Sequence, residues 1–575
     1  MERQKIFKLV WNETCHFLIK NWKIVLFFAF LAFLIFTNQI HESYPDEFEN
    51  ILGGKFILQG RLPYSGFFTH HNPFAYFFSS LVLLFSGISF VKFRLLLGLF
   101  YLIASLSFYL YVTKSFVHVS KVLIFFYLYV FLGATYFWGH MLLADSLSAY
   151  LITACYIFVF LKSFKGQSFS KSDILFVSIV SSFALLTSSA LVFYIAIIYI
   201  YLFLLIWLKE GINVKKFSVI LLILLIPYFL FAAYLLLSNS YRDFYRYAIR
   251  YNTDVYVQFP DGASFRNPFR LAIVYLRKFT ESYRSALVMV KDLNFSNPVF
   301  QTFALGNLSL IVYLLFSRQY SLSLFVFLVM VYSSLRGGGP LSAGEKDYQS
   351  MHYYLISLFN SIFALYCFWK SIAKVKLDLA KRVVYSLLLI LLGTYMFFLL
   401  YLFFDKWFEK TYLKYMGKQS LIYDRPPVAN LLNEVLDRDD YYFIGPFDFE
   451  DQFYLRSKPA SRYIVVLNGM DFVPSIQNEI IEDLSKVRPK VIVFNTSFYF
   501  FNGNIPAGRF LSGFLRDNYL NFRDMKLLDK GFTYKYSSLG QFDFDSNIFI
   551  LKSDSNELLS KFVRSGYLIP PSFEN

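Results

Sequence analysis

Charged residues are scarce in this sequence of 575 residues, at 16% of the chain against about 25% in a typical soluble protein. This deficit excludes a purely soluble or disordered chain. Cysteine is rarer still, and the three residues, Cys15, Cys155 and Cys367, are too few and too scattered for a disulfide framework. Internal repeats and flexible Gly/Ser linkers are also absent, so each polar segment has to be interpreted separately.

Hydrophobic residues are abundant, at 57% of the chain, and many of them form long runs. Runs close to the roughly 20 residues that cross a bilayer recur between residues 24 and 404. The first run follows basic residues and has no small-residue cleavage site after it, so we expect a retained span and not a removed signal peptide. The sequence therefore predicts a polytopic α-helical membrane protein with about 11 spans. The predicted spans are 24–40, 95–113, 121–138, 146–162, 174–187, 190–208, 217–238, 298–316, 321–335, 353–369 and 383–404.

The net charge of +16 lies mostly in short stretches between these runs, so it reports membrane topology and not a nucleic-acid-binding face. Basic residues before the first run place the N-terminus in the cytoplasm. The later basic clusters all fall on that side only if the run 74–91 lies in the outer interface and does not span. The chain after residue 404 is then extracytoplasmic. The later clusters are Lys114 with Lys121; Lys162, Lys165 and Lys171; Lys209, Lys215 and Lys216; Arg318; and Lys370, Lys374, Lys376, Lys381 and Arg382.

Two domains are predicted, a transmembrane domain over 1–404 and a soluble extracytoplasmic α/β domain over 405–575. In the second, strand-like and helix-like patterns alternate, without a glycine-rich nucleotide fingerprint. Its predicted strands are 441–444, 463–467, 490–494, 526–537 and 547–552, and its predicted helices are 449–455, 475–486 and 510–519. The external loops of the transmembrane domain are 39–94, 139–146, 239–297 and 336–352.

The first external loop contains adjacent carboxylates, Asp46 and Glu47, directly after Pro45. Carboxylates next to a low-dielectric boundary can have a raised pKa, which suits a general base. The alternative is a solvated helix N-terminus, where proline and negative charge are both favourable.

This loop and the segments after it contain a series of motifs in a fixed order. They are Tyr44-Pro45-Asp46-Glu47 after the first span, the glycine-punctuated segment 53–64, Thr69-His70-His71-Asn72-Pro73 before an apolar helix, Arg94, and the segment 140–145 ending in Asp145. Taken in this order, they resemble the GT-C glycosyltransferases. The nearest group is the bacterial relatives of protein O-mannosyltransferases and of the aminoarabinose transferase acting on lipid A.

The resemblance implies a transferase that takes a sugar from a polyprenyl-phosphate carrier and passes it to a glycan, lipid or protein acceptor. It implies that Asp46 is the catalytic acidic residue, Glu47 its neighbour and Asp145 a second acidic site outside the membrane. The acceptor hydroxyl, deprotonated by Asp46, would attack the anomeric carbon and expel polyprenyl phosphate with inversion.

The leaving group is an anion, so cationic or hydrogen-bonding residues should line its site. His71 leads these candidates because relatives have a polar or basic residue at its place before a proline. For each of them the alternative is an interfacial side chain that reaches towards lipid headgroups. The candidates are Arg61, His70, His71, Arg94, Lys346, His352 and Tyr353.

Asp145 precedes a nearly apolar segment and also fits a simple helix N-cap. Asp46 and Asp145 together could hold a divalent cation or orient the acceptor. The sequence shows no His/Cys/Glu cluster at metal-ligand spacing, so the choice between no cofactor and a divalent cation stays open.

Two other external segments carry distinctive patterns. Residues 241–253 place aromatics and arginines at helical spacing, which predicts an amphipathic interfacial helix, with a sugar-stacking wall as the alternative. The loop 336–352 is glycine-rich, and successive backbone N–H groups can cradle phosphate. We predict that this loop covers the donor.

A flippase or transporter of lipid-linked saccharide is the second interpretation. Transport predicts ionisable residues within spans and internal repeats, whereas the spans here are almost free of charge. A catalytically inactive scaffold is the third, and the presence of Asp46, Glu47 and Asp145 argues against it. The expected location is a bacterial inner membrane with a periplasmic active site, as the resemblance implies.

Overall fold

Helices form most of a computed structural model of the chain, which describes residues 22–211, 214–256, 268–292, 298–333, 347–373, 379–417, 427–499 and 506–571. Short 3-10 turns and a π-helix (Tyr245–Tyr256) interrupt the α-helical pattern. The α-helices before residue 420 are α1 (Trp22–Asn38), α2 (Pro45–Leu58), α3 (Phe74–Ser86), α4 (Phe90–Ser115), α5 (Ser120–Leu132), α6 (Ala134–Phe137), α7 (Ala144–Phe164), α8 (Lys171–Leu185), α9 (Val192–Glu210), α10 (Val214–Leu237), α11 (Tyr241–Phe244), α12 (Pro268–Lys291), α13 (Pro298–Phe316), α14 (Tyr320–Ser333), α15 (Met351–Ile372) and α16 (Leu379–Tyr415).

Seven helical segments of the described residues are long and apolar enough to cross a membrane. Large apolar side chains on them are exposed, among them Leu230 and Leu237. Lipid tails accept such a surface, whereas water does not. The protein is therefore a multi-pass membrane protein. The seven segments are Phe90–Ser115, Ala144–Phe164, Ser189–Lys209, Phe217–Leu237, Pro298–Phe316, Tyr348–Ile372 and Leu379–Tyr415.

Every predicted span overlaps a helix of the structure, although the span predicted at 121–138 is divided into α5 and the short α6. Seven correspond to the long apolar segments, and three correspond to the shorter apolar helices Trp22–Asn38, Val117–Leu132 and Tyr320–Ser333. The span predicted at 174–187 corresponds to α8, which has 15 residues. The polytopic helical architecture is confirmed, while the number of crossings and their orientation stay predictions.

The run predicted to lie in the outer interface forms α3, which has 13 residues. At 1.5 Å per residue this helix is about 20 Å long, which is short of the roughly 30 Å hydrocarbon core. Gly87 follows it with a φ of 62°, in the left-handed region that favours glycine. The length therefore fits a helix that does not span, although its place in the interface stays a prediction.

The chain divides into two compact units. The first comprises Met1–Glu42, Val91–Pro227 and Ala272–Ile422, and the second comprises Ser43–Phe90, Tyr228–Leu271 and Tyr423–Asn575. The second unit thus combines the first inter-helix segment, part of the tyrosine-rich segment and the C-terminal region. The domain boundary predicted between 404 and 405 stays a prediction, as does the side of the membrane.

A buried polar network joins four helices of the first unit. Tyr156 donates to the side chain of Asn360 at 2.7 Å, and Asn360 donates to Asn307 at 2.8 Å. Asn307 donates to Tyr283 at 2.8 Å, and the Tyr283 and Tyr353 hydroxyls are 2.6 Å apart. Polar groups between apolar helices need such partners, so the network specifies how α7, α12, α13 and α15 pack.

The C-terminal region is a mixed α/β structure, as predicted. The strands are β1 (Tyr441–Gly445), β2 (Lys458–Pro459), β3 (Val491–Phe494), β4 (Tyr519–Asn521), β5 (Thr533–Tyr534), β6 (Ser538–Leu539), β7 (Phe542–Asp543), β8 (Ile548–Leu551) and β9 (Leu568–Ile569). The main sheet has the order β2-β1-β3-β8-β4, in which β1 is parallel to β2 and β3, while β8 is antiparallel to β3 and β4. The helices are α17 (Pro427–Val435), α18 (Phe449–Tyr454), α19 (Pro474–Val487), α20 (Leu511–Asn518), α21 (Phe544–Asn547) and α22 (Ser555–Arg564).

The strand predicted at 463–467 is wrong. These residues are buried but belong to no strand, and β2 occupies the position beside β1. The Val466 N–H instead donates to the Pro446 carbonyl at 2.8 Å. The strand predicted at 526–537 shrinks to Thr533–Tyr534, and α17 and α22 were not predicted. An apolar run indicates burial, but strand pairing depends on neighbours distant in sequence.

Candidate functional site

The helix α2 begins where the sequence pattern predicts, with Pro45 in its first turn and Asp46 and Glu47 beside it. Tyr44 precedes it in an extended conformation, and the Asn50 side chain donates to the Asp46 carbonyl at 2.9 Å. Negative charge at this end of a helix is favourable because unpaired N–H groups point towards it. The predicted helix N-terminus is present, but it is not solvated as that alternative requires, because Glu47 is buried and Asp46 is partly buried.

Two glycines allow α2 to approach α3 closely. A Cβ atom at Gly53 would collide with the Tyr76 ring, and one at Gly54 would lie 2.7 Å from the Ser80 backbone nitrogen. The Ser79 hydroxyl donates to the Asn50 carbonyl at 2.5 Å across the same contact. This approach packs the middle of α2 against the first half of α3.

Glu49 lies at that contact and is buried. Its Oε1 atom accepts a hydrogen bond from the Tyr76 hydroxyl at 2.8 Å, and its Oε2 atom is 3.7 Å from His71 Nε2. Burial raises the pKa of Glu49 to about 8, and the charge of Asp46 adds to this, against the opposing effect of the Tyr76 hydrogen bond. Glu49 is therefore the carboxyl of this segment with a raised pKa, and the sequence pattern did not point to it.

His70 and His71 lie in the loop between α2 and α3, with ring centroids 3.9 Å apart. The His71 N–H donates to the Thr69 hydroxyl at 3.0 Å, and the Tyr64 hydroxyl donates to the His71 carbonyl at 3.0 Å. The Asn252 side chain donates to the His70 carbonyl at 2.6 Å. Side chains thus hold the backbone of both histidines.

The donor atoms of Glu49, His70 and His71 all lie within 4.8 Å of one another. Among the described residues, these three form the one group of His, Cys, Asp or Glu side chains whose ligand atoms are close enough to hold a metal ion. The sequence shows no cluster at metal-ligand spacing because these residues come from two separate segments, which only the fold brings together. The only local signal for this group is the adjacent pair His70-His71, which does not indicate a third ligand from α2.

Arg61, a predicted phosphate-binding residue, contacts protein groups of the second unit. Its Nε atom donates to the Gly66 carbonyl at 3.1 Å, and its guanidinium lies over the Phe56 ring. A longer contact of 3.4 Å reaches the Ser461 carbonyl. Burial lowers the pKa of Arg61. These contacts give the side chain a structural role.

Lys55 is a buried cation that the sequence analysis missed. Its ammonium group donates to the carbonyls of Gln452, Phe453 and Leu455 at 3.1, 3.0 and 2.8 Å. These carbonyls lie at the end of α18, where a cation is favourable. Burial lowers the pKa of Lys55 to about 8. The side chain thereby ties α2 to the C-terminal α/β region within the second unit.

Replacing Lys55 with methionine should destabilise the protein by about 1–3 kcal/mol, because three buried carbonyls lose a charged donor while the apolar stem is kept. Thermal unfolding of the purified protein in detergent measures this change. Lys486→Met, at an exposed position of α19, is the control and should leave the midpoint unchanged. Equal midpoints for both variants would contradict the assigned role of Lys55.

The tyrosine-rich segment contributes to an ion cluster of the second unit. Arg462 donates to Glu479 at 2.6 Å and to Asp243 at 3.2 Å, and Arg246 pairs with Glu479. The Tyr463 hydroxyl donates to Glu479 at 2.6 Å. Burial alone would raise the pKa of Glu479, but hydrogen bonds from Tyr463, Arg462 and Arg246 hold it at about 2. The predicted helix is present, and these arginines contact protein side chains.

The Glu479 carboxylate should stabilise the fold in a pH-dependent way. Its folded pKa lies below the ordinary value, so its contribution is complete above about pH 5 and is lost as the pH falls towards about 2. We expect the difference in thermal midpoint between wild type and Glu479→Gln to shrink over this range. Glu482→Gln, an exposed residue of the same helix, is the control. Parallel pH profiles for the two variants would refute this account.

Glu47 is buried and close to a second acidic group, Glu450 of α18. Burial raises the pKa of Glu450 to about 7, and the charges of Asp448 and Glu47 contribute. The Asp448 side chain caps α18 by accepting from the Asp451 N–H at 3.1 Å. Glu47 thus adds negative charge near this helix terminus.

Arg94 belongs to the first unit and donates to the Glu42 carbonyl at 3.1 Å. His140 Nε2 lies 3.3 Å from the same oxygen, and Lys410 pairs with the Glu42 carboxylate. Burial would raise the pKa of Glu42, but Lys410 holds it near 2. Arg94 is therefore part of a charged cluster that follows the first apolar helix.

Asp145 is the second residue of α7, and Leu143 occupies the N-cap position, so the interpretation of Asp145 as the N-cap is wrong. Asp145 is buried. The Ser148 hydroxyl donates to its carbonyl at 3.1 Å and lies 2.7 Å from His352 Nε2. His352 and Tyr353 lie in the first turn of α15, and Tyr353 belongs to the polar network described above.

The predicted site residues thus fall in different parts of the structure. Asp46, Glu47, Arg61, His70 and His71 belong to the second unit, and Asp145, Arg94, His352 and Tyr353 belong to the first. The cation predicted to bind between Asp46 and Asp145 stays a prediction. Lys346 and most of the loop 336–352 lie outside the described residues.

Comparison with known proteins adds no relative. No protein-family model matches the chain, and no curated protein matches it. The fold therefore defines the class, a multi-pass membrane protein with a C-terminal mixed α/β region.

Proposed function

We propose that the protein is an integral-membrane glycosyltransferase that moves a sugar from a polyprenyl-phosphate-linked donor to an acceptor hydroxyl on the extracytoplasmic side. The motif order after the first span suggests this class. The observation that supports it most is the pairing of Asp46 with a buried carboxyl, Glu49, whose pKa the Asp46 charge helps to raise, next to His70 and His71. Carboxyls in such surroundings suit proton transfer.

In the proposed reaction, Asp46 accepts the proton of the acceptor hydroxyl. The acceptor oxygen then forms a bond to the anomeric carbon, and the bond from that carbon to the phosphate oxygen breaks with inversion. Polyprenyl phosphate leaves with the electron pair of the broken bond. The histidine imidazoles of the second unit are suited to donate hydrogen bonds to this anion.

The proposal includes the membrane topology. The distribution of basic residues supports eleven crossings, a cytoplasmic N-terminus and an extracytoplasmic C-terminal region. The family resemblance supports a bacterial inner membrane. Cysteine labelling at the N-terminus and in α22 of intact cells tests this arrangement. Labelling of the α22 position from the cytoplasmic side alone would overturn it.

The activity is tested with purified protein in proteoliposomes and radiolabelled polyprenyl-phosphate sugars, with a membrane extract as acceptor. We expect label to move into the acceptor fraction. Donor that crosses the bilayer without transfer of its sugar would support the flippase interpretation. Donor binding with neither transfer nor movement would support an inactive scaffold.

A further inference from the structure

We infer that Glu49, His70 and His71 form a binding site for a first-row divalent transition metal ion, with Zn²⁺ the best match. The three side chains come from α2 and from the loop that precedes α3. Each of them offers one ligand atom, and these three atoms lie within 4.8 Å of one another. The inference goes beyond the proposed transferase activity and does not depend on it.

The spacing of the donors fits a small ion. Ligand atoms about 2.0–2.1 Å from a tetrahedral zinc ion stand about 3.3–3.4 Å apart. Glu49 Oε2 and His71 Nε2 are 3.7 Å apart without the ion, so they need to shift by only a few tenths of an ångström. The His70 ring lies beside the His71 ring, and its ligand atom is within 4.8 Å of the other two, so His70 would complete the set by moving towards them.

Neighbouring hydroxyls orient the carboxylate. The Tyr76 hydroxyl donates to Glu49 Oε1, and the Thr69 hydroxyl lies 2.7 Å from that of Tyr76. One carboxylate oxygen is thereby held, and the other is directed at His71. Such outer hydrogen bonds orient the ligands of metal sites and support their affinity.

Hydrogen bonds from neighbouring side chains also hold the histidine loop, the segment between α2 and α3 that contains His70 and His71. Asn252 fixes the His70 carbonyl, and Tyr64 fixes the His71 carbonyl. The Thr69 hydroxyl accepts from the His71 N–H and so links the loop to the Tyr76 side of the site. Both imidazoles are thus presented by a backbone with little freedom, which reduces the entropy lost when a metal binds.

The donor set selects the class of metal. Two imidazoles and one carboxylate suit zinc and its transition-metal neighbours, whereas Mg²⁺ and Ca²⁺ prefer oxygen ligands alone. Three protein ligands leave a fourth tetrahedral position for water or another small ligand. The alternative is a metal-free ion pair between protonated His71 and Glu49.

The test uses the full-length protein in detergent, stripped with a chelator and then titrated with Zn²⁺ or Co²⁺. We expect about one Zn²⁺ per chain and, with Co²⁺, the visible absorption bands of a tetrahedral site. Glu49→Gln and His71→Gln should each weaken binding at least about 10-fold. His118→Gln, an exposed histidine elsewhere in the chain, is the matched control and should bind as wild type does.

Equal Zn²⁺ stoichiometry and affinity in wild type and both site variants would overturn the inference, as would a wild type that binds no Zn²⁺ after stripping. If a variant fails to fold, the Co²⁺ spectrum of the wild type decides alone, because a simple ion pair produces no such bands. The measurement contains no sugar donor, so its outcome is separate from that of the transferase assay.

Discussion

Asp46→Asn should reduce sugar transfer by about 10²–10⁴-fold, which is the usual contribution of a general base. Asparagine keeps the size of the side chain and its place in the first turn of α2, but it cannot accept the acceptor proton. Donor binding should persist, because the substitution leaves the histidine loop unchanged. Transfer and donor binding are both measured in proteoliposomes at matched protein content.

The control for this variant is Asp524→Asn, at an exposed position of the C-terminal region. It should transfer sugar as the wild type does. If Asp46→Asn also transfers at the wild-type rate, then Asp46 is not the base, and the buried carboxyl of Glu49 becomes the next residue to test. A wild type without activity would instead remove the transferase proposal itself, whatever the variants do.

Gly54→Val should destabilise the protein by about 3 kcal/mol, at the upper end of the cost of overpacking. A Cβ atom at this position meets the Ser79 hydroxyl and lies 2.7 Å from the Ser80 backbone nitrogen. Backbone cannot move aside as a flexible side chain can, so α2 and α3 have to separate. The thermal unfolding midpoint in detergent should fall accordingly.

Gly393→Val provides the matched control, because Gly393 also lies within a helix but has no atom within 4 Å of its added Cβ position. Its effect should stay below about 1 kcal/mol, since helix propensity alone changes. A Gly54 variant as stable as the Gly393 variant would show that α2 and α3 do not pack as described. Loss of metal binding in Gly54→Val is a further expected result, because this contact positions Glu49 against Tyr76.

The candidate site shows which kinds of inference the sequence supports. Asp46 and Glu47 begin a helix after Pro45, as the local pattern predicts, because proline and acidic residues favour that position for reasons confined to one helical turn. Glu49 is on the same face one turn later, yet nothing in the local pattern shows that it is buried. Its burial depends on α3, which packs closely against α2 because Gly53 and Gly54 have no side chains to keep the two helices apart.

For the cationic candidates, the local sequence does not indicate which groups they contact. Arg61 and Arg94 were selected as phosphate-binding residues because they are basic and external in the predicted topology. Both donate to backbone carbonyls in the structure. Lys55 joins α2 to the C-terminal region by donating to the carbonyls of Gln452, Phe453 and Leu455. A lysine within a glycine-rich amphipathic segment does not indicate these partners.

By itself, the sequence determined the class of the protein. Apolar runs of bilayer length and alternating strand and helix patterns are properties of neighbouring residues, and they predicted the membrane helices and the mixed α/β region. Only the tertiary structure decided which side chains meet. Glu49 comes together with His70 and His71, and Lys55 meets a carbonyl 400 positions further along the chain, through packing between segments distant in sequence. Such contacts depend on the shape of the whole second unit, which no local periodicity encodes.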